Sequence, residues 1–262
     1  MLTKITSADN SRVKLVRKLA TRKGRLEERA FTAEGRNLVG EILERGIKPR
    51  FILVSDECAG EDMLKEATAS EDIMVCEVPE KEFRKLTDAG HGVGMLTVMD
   101  TPDAAFDALR ALEPDDNVLV LDRIQDPGNM GTLIRTAVAA GYKAVIATSG
   151  TVDVYSPKVL RATAGTVFEL PIIYTGSLDE LKKILKDTGK QMAVTEVDGG
   201  VPYYETDLSK GIALVIGNEG AGVSEELKDM ADIGVTLPMK GNIESLNAAV
   251  AAAILMYESV RK

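Results

Sequence analysis

Short apolar runs alternate with helical stretches along nearly the whole chain. PRFILVS (49–55), IMVCEVP (73–79) and GMLTVM (94–99) are apolar, rich in β-branched residues and bounded by turn formers, which predicts strands. Apolar residues at helical spacing around 10–20, 35–45, 61–68 and 79–87 predict helices between them, so residues 1–100 read as one small α/β domain. Residues 101–116 are acidic, carry Pro102 and Pro114, and predict a linker. Beyond it, NVLVLD (117–122), KAVIAT (143–148), FELPIIY (168–174), QMAVTE (191–196), IALVIG (212–217) and GVTLP (234–238) predict six strands with helices between them. That alternation over 117–262 implies a second α/β unit whose mostly parallel sheet is joined by crossovers.

Composition fits a soluble globular protein of one large or two ordinary domains, with 262 residues, 45% hydrophobic and 28% charged. MLTKITSADNSRVK lacks an apolar signal core, and the low-polarity stretch Ala248–Met256 is too short to span a bilayer, so the expectation is a cytoplasmic protein with no membrane contact. Cys58 and Cys76 lack CxxC spacing and read as two buried or idle thiols. His91 is the single histidine, which argues against a histidine-rich metal site or a serine-histidine triad. No metal is expected. Chemistry falls to Arg, Glu, Ser, Asn, backbone amides or a cofactor.

Charge changes the picture, because the net −9 is unevenly spread. Residues 1–50 carry +7 and the remainder −16. Arg12, Lys14, Arg17, Lys18, Arg22, Lys23 and Arg25 form a run without an acid. Most such runs are solvated helix faces. Unopposed like charges are better accommodated by a polyanion, which favours contact with RNA or DNA.

Three stretches could hold chemistry. The first, NVLVLDRIQDPGNMGTLIRTAVAAGY (117–142), reads as a strand, a Gly/Pro turn and a helix that Asn129 is suited to cap. Met130, Leu133, Ile134, Ala137 and Val138 form an apolar stripe, with Arg135 about 100° or more from its centre. DPGNMG lacks the GxGxxG spacing of a dinucleotide turn. In the second, IALVIGNEGAGVSEEL (212–227), the glycines invite a phosphate, but Glu219, Glu225 and Glu226 would repel one. Glu225 and Glu226 are ordinary N-terminal helix charges, whereas Glu219 lies in the loop itself. A neutral or cationic ligand contacted by backbone groups fits this loop better. The third, VTLPMKGNIESLNAAVAAAILMYESV (235–260), predicts a strand, a polar loop and an Ala-rich helix beginning near Ser245, apolar on nearly all sides and therefore buried within the fold or against a partner subunit. Asn247, a poor helix former, suggests a partner atom nearby.

In order, DPGNMGTLIRTA, LVIGNEGAGVSEEL and TLPMKGNIESLNAAVAAAILMYE resemble the three motifs of SpoU/TrmH-type ribose 2'-O-methyltransferases, members of the SPOUT superfamily. YSPKVLRATAGTVFELPI is similar to that family's middle region, and AFTAEGRNLVGEIL resembles the start of its small RNA substrate-binding domain. GHGVGMLTV departs from the Gln-Gly pair expected before that domain's last strand. The resemblance implies a C-terminal trefoil-knotted methyltransferase domain over 117–262, an N-terminal α/β sandwich over 1–100 and a homodimer formed through the C-terminal domain. It implies S-adenosyl-L-methionine as cofactor and RNA as substrate, ribosomal RNA ahead of transfer RNA. By position it places cofactor contacts at Gly217, Leu237 and Leu246, with Thr195, Met239 and Asn247 beside them. Arg135 becomes the central catalytic residue, Asn129 orients it, and Glu219, Ser245 and Asn247 shape the pocket. Two readings from other classes stay open on the residues alone: a noncatalytic RNA binder using the basic run, and a nicotinamide-dependent enzyme using the glycine loops.

Overall fold

The inner strands of this chain are short and buried on both faces, so each sheet must be covered on both sides there. The computed structural model describes residues 2–69, 72–87, 94–102, 108–109, 111–197 and 199–261. His91, in the GHGVG stretch, lies outside the described residues. The chain divides into two compact units, residues 1–102 with 155–165 and residues 103–154 with 166–262.

The first unit runs β1 (Leu2–Lys4), α1 (Ser11–Leu19), α2 (Arg22–Glu28), β2 (Ala30–Glu34), α3 (Arg36–Glu44), β3 (Phe51–Ser55), α4 (Asp62–Ala69), β4 (Val75–Val78), α5 (Glu80–Phe83) and β5 (Met95–Asp100). Its sheet has the order β1-β4-β3-β5-β2, with β1, β4 and β3 parallel and β5 antiparallel to both neighbours. Alternation along β3 explains the covering: Phe51 and Leu53 share a core with Val13, Val16 and Leu19 of α1, while Ile52 and Val54 share another with Val39 of α3 and Leu64 of α4. Cys58 and Cys76 are free and buried, as their spacing implied.

The second unit opens with β6 (Val118–Leu121), α6 (Pro127–Ala139) and β7 (Ala144–Ala147). The next helix, α7 (Pro157–Thr163), belongs instead to the first unit, where it packs on β2 and where Arg161 lies 3.2 Å from the buried Glu34. The second unit continues with β8 (Ile172–Tyr174), α8 (Leu178–Asp187), β9 (Gln191–Glu196), β10 (Val201–Pro202), β11 (Ile212–Ile216), α9 (Glu225–Lys228), β12 (Ile233–Thr236) and α10 (Ala248–Glu258). These strands form a seven-stranded sheet, β10-β12-β9-β11-β6-β7-β8, parallel throughout. Continuous burial of VLVL, AVIA and IALVI is what a parallel sheet covered on both faces requires. On one face Val118, Val120, Ile146, Val194 and Val215 pack with Leu181 and Leu185 of α8. Helices α6 and α10 pack against each other. Among the described residues no helix is long and apolar enough to cross a membrane.

Several boundaries differ from the sequence expectation. Helix α6 starts three residues earlier than an Asn129 cap would allow: Asp126 is the N-cap, accepting the Asn129 N–H at 2.8 Å, because Pro127 is preset for the first helical position. Helix α10 begins at Ala248 and not near Ser245, with Asn247 as its cap accepting from Ala249 and Val250. FELPIIY is strand only from Ile172, since Thr166–Phe168 form a 3-10 turn and Pro171 offers no N–H to a ladder. The helix expected over 79–87 is regular only over Glu80–Phe83.

Candidate functional site

The carboxyl ends of β9, β11 and β12 meet the start of α10 around one cavity. In parallel α/β sheets this edge is where ligands bind, because the loops that leave the strands are free to vary there. The cavity is lined by Thr195 and Glu196 at the end of β9, Gly217 to Gly220 and Gly222 after β11, Leu237 and Met239 after β12, and Glu244, Ser245 and Leu246 before α10. Ile216, Val235, Ala248, Ala251 and Leu255 add apolar wall. Thus Thr195, Gly217, Glu219, Leu237, Met239, Ser245 and Leu246 come together, although they come from four separate stretches of the sequence.

Local chemistry explains the shape of the 217–224 loop. Asn218 and Gly222 exchange both backbone hydrogen bonds, at 3.0 and 2.9 Å, and the Asn218 side chain accepts from Gly220 and Ala221. Gly222 closes this turn in the left-handed region at φ 69. Gly217 is required for a different reason: a Cβ there would overlap the backbone of Gly222 and Val223. Its glycine serves the loop's own return path, where the sequence alone suggested close approach to a ligand.

Glu219 knots three motifs together. Its Oε1 accepts from Asp126 N at 3.1 Å and from Asn129 Nδ2 at 3.0 Å, and its Oε2 accepts from Gln125 N at 3.2 Å. With its Nδ2 committed, Asn129 presents Oδ1, which accepts from Asn247 Nδ2 at 2.9 Å. Asn247 is then free to cap α10 with its own carbonyl oxygen. Burial pushes the Glu219 carboxyl upward, yet the hydrogen bonds from Asn129, the loop's own backbone, Asp126 and Gln125 outweigh it and hold the group below its ordinary value. A carboxylate depressed in the folded state stabilises above its unfolded pKa and loses that contribution as pH falls through the folded one. The stability gap between wild type and Glu219→Gln is therefore expected to be present at pH 7 and to shrink as pH drops below the ordinary Glu value of 4.5. Urea titrations at several pH values check this, and a gap that does not change with pH would contradict it.

Asn247 does not line the cavity; it reaches the site through Asn129. Arg135 also lies outside the lining, exposed on α6, without a hydrogen bond or ion pair among the described residues. The sequence reading missed Asn218, Glu196 and Glu244. Asn218 sits beside Glu219 in the same motif, but nothing local marks the other two.

The lining holds three carboxylates and, among the described residues, no lysine or arginine. A pyrophosphate would find no countercharge there, whereas a ligand with an apolar ring system and a positive centre matches both the apolar walls and the charge. S-adenosylmethionine, a cationic sulfonium carrying an adenine, has that chemistry.

The basic run is less open than its sequence suggested. Lys14 pairs with Asp9, Arg17 lies 3.8 Å from Glu82, Lys18 pairs with Glu27 and Glu28, and Lys23 lies 3.7 Å from Glu27. Arg25 is 7% exposed and donates to the carbonyls of Leu19 and Ala20, tying α2 back to the end of α1. Arg12 is half-buried and Arg22 exposed, and neither makes an ion pair among the described residues.

Residues 116–257 match the SpoU rRNA Methylase family, and residues 10–97 match the MRM3-like substrate binding domain. The chain is 37% identical over 253 residues to the 23S rRNA (guanosine(2553)-2'-O)-methyltransferase RlmP of Bacillus subtilis, covering 97% of each. It is similar to an AdoMet-bound rRNA methyltransferase from Sinorhizobium meliloti, with TM-score 0.85, 33% identity and 99% and 98% of the two chains covered. It also resembles the SpoU methyltransferase AviRb from Streptomyces viridochromogenes in complex with AdoMet, with TM-score 0.84, 26% identity and coverage of 96% and 98%.

Proposed function

The chain belongs to the SpoU rRNA Methylase family, and on that premise we propose that its substrate is ribosomal RNA and that the cavity described above seats its cofactor. Its activity is the transfer of a methyl group from S-adenosyl-L-methionine to a ribose 2'-hydroxyl of RNA. The observation that carries the site assignment is the Glu219–Asn129–Asn247 chain, which joins all three motifs at the mouth of one apolar, acid-lined cavity.

In this reading Gly217, Leu237 and Leu246 contact the cofactor, with Thr195 and Met239 beside them. When bound, the cofactor supplies an electrophilic methyl group and a neutral thioether leaving group. The chain's own residues handle the other reactant. A hydroxyl is a weak nucleophile that must be oriented as it loses its proton. Arg135 holds the hydroxyl and a neighbouring RNA phosphate through its fork of donors. A guanidinium keeps its own proton, so it orients and stabilises developing charge and leaves proton removal to water. Asn129, fixed by Glu219 and Asn247, sets the approach to Arg135, and Ser245 borders the pocket. Methyl acceptance by ribosomal RNA fragments and by transfer RNA, compared at equal concentration, tests the substrate class. Preference for transfer RNA would overturn it.

RNA docking is assigned to residues 1–100, with 101–116 as linker and 117–262 as the catalytic domain. Within the basic run, Arg12 and Arg22 lead, because Lys14, Arg17, Lys18 and Lys23 must exchange acidic partners for phosphates and Arg25 is occupied by backbone carbonyls. Reversing Arg12 and Arg22 to Glu is expected to weaken RNA binding and to lower the slope of log affinity against log salt by roughly 0.7–0.9 for each phosphate no longer neutralised. Filter binding at several salt concentrations reads the slope; an unchanged slope would return the run to a solvated face.

A homodimer formed through α10 completes the reading. Val250, Ile254 and Tyr257 are 50%, 37% and 51% exposed and lie along one stripe of that helix, opposite the buried Ala249, Ala252 and Met256. Light scattering is expected to give about twice the 28.2 kDa of one chain, and Ile254→Glu with Tyr257→Glu to give monomers. A fully active species of one-chain mass at every dilution would rule the dimer out.

A further inference from the structure

One buried carboxylate at the end of β6 holds the cofactor loop without touching the cavity. Asp122 is 2% exposed and does not line the pocket. Its Oδ2 accepts from the N–H of Ser224 at 2.8 Å and lies 3.2 Å from the Arg123 guanidinium, while its Oδ1 accepts from the Thr148 hydroxyl at 3.1 Å. Thr148 in turn accepts the Arg123 N–H at 3.2 Å. Arg123 occupies the left-handed region at φ 56, and its carbonyl accepts from Asn218 Nδ2 at 2.8 Å. Two adjacent residues therefore grip the loop after β11 at both ends, Arg123 at Asn218 and Asp122 at Ser224. Between those grips lie Glu219, Gly220 and Gly222, all of which line the cavity.

We propose that Asp122 is a positioning residue for cofactor binding, fixing the return limb of the 218–224 loop so that its backbone is already set against the cavity before the cofactor arrives. This rests on the cofactor reading given above. A loop that carries Gly220 and Gly222 and follows directly on Gly217 has much freedom to lose on binding, and any part of that freedom removed beforehand appears as affinity. Asp122 is placed to remove it, since its carboxylate joins its neighbour Arg123 to two distant segments, at Thr148 and Ser224. Without it, those donors are left without their acceptor and the return limb is released.

The test is calorimetric titration of the RNA-free protein with S-adenosylhomocysteine, beside initial-rate KM and kcat and thermal melting. Binding to wild type is expected; its absence would overturn the cofactor reading, and this inference with it. Asp122→Ala is expected to raise Kd about tenfold and the KM for S-adenosylmethionine in step, with kcat at saturation changed by less than about threefold. Asp122→Asn keeps the shape and one acceptor oxygen, so it should recover most of the affinity. Ser224→Pro is the independent arm, and it serves if Asp122→Ala does not fold. Ser224 sits at φ −62, which proline adopts, and its side chain makes no cap hydrogen bond, so the substitution chiefly deletes the N–H that Asp122 accepts. It should raise Kd comparably and add little to Asp122→Ala in a double-mutant cycle. Unchanged Kd in folded Asp122→Ala or Ser224→Pro, or a loss confined to kcat or melting temperature, would overturn the proposal.

Discussion

Arg135→Ala is expected to slow single-turnover methyl transfer by about two to three orders of magnitude, with RNA and cofactor both saturating. Melting temperature and cofactor affinity should stay where they are, for a structural reason. Helix α6 meets the core through Met130, Leu133, Ile134 and Ala137, all buried, whereas Arg135 is exposed and has no hydrogen bond or ion pair among the described residues. The same helix carries Asn129, roughly 9 Å along the axis from Arg135 at 1.5 Å per residue, and Asn129 is held by the Glu219 and Asn247 side chains. A free guanidinium one to two turns beyond a fixed amide is a ready partner for a phosphate and a hydroxyl. Arg135→Lys keeps the charge and loses the planar fork, so it should fail nearly as badly. A near-wild-type rate in Arg135→Ala would remove the residue from the mechanism.

Gly217→Ala is expected to abolish measurable cofactor binding, a loss of at least about a hundredfold in affinity, while Gly220→Ala is expected to bind within about threefold of wild type. Both glycines line the cavity, so a generic need for small residues there would make the two alike. Their surroundings differ. A methyl group at 217 would overlap the backbone of Gly222 and Val223, which cannot swing aside as a side chain could, so the loop must open. At 220 the nearest atom to such a methyl group would be Asn218 Oδ1 at 3.7 Å, an ordinary contact. Calorimetry on the two purified variants, with circular dichroism to confirm folding, separates loop closure from ligand approach. Equal losses in both would contradict this account of Gly217.

What could be read from the sequence followed from local physics. VLVL, AVIA and IALVI are apolar throughout because both faces of a parallel sheet are covered, and they were visible as strands. Ala30–Glu34 was not. It is buried at every position, yet Thr32 and Glu34 break its apolar character, and Glu34 is answered by Arg161, 127 residues away. The two-residue β10 is too short to leave a period. The start of α6 misled because Asp126 and Asn129 are both good caps; Pro127 decides between them by fixing where the first turn begins. At the site, resemblance named Asn129, Glu219 and Asn247, but their mutual hydrogen bonds span 90 and 118 residues, and no spacing rule reaches that far. Arg25 looked like one more charge in a basic run, while its guanidinium is folded back onto the carbonyls that end α1.

The central claim is that this chain methylates a ribose oxygen and not a base, and the position of the methyl group decides it. A 2'-O-methyl group removes the hydroxyl that attacks the adjacent phosphodiester in alkali, so the linkage after a modified nucleotide survives hydrolysis that cuts every other. Ribosomal RNA incubated with the protein and methyl-tritiated S-adenosylmethionine, then hydrolysed in alkali, should therefore yield its label in dinucleotides, and Arg135→Ala should yield almost none. Label recovered in mononucleotides would place the methyl group on a base and contradict the account.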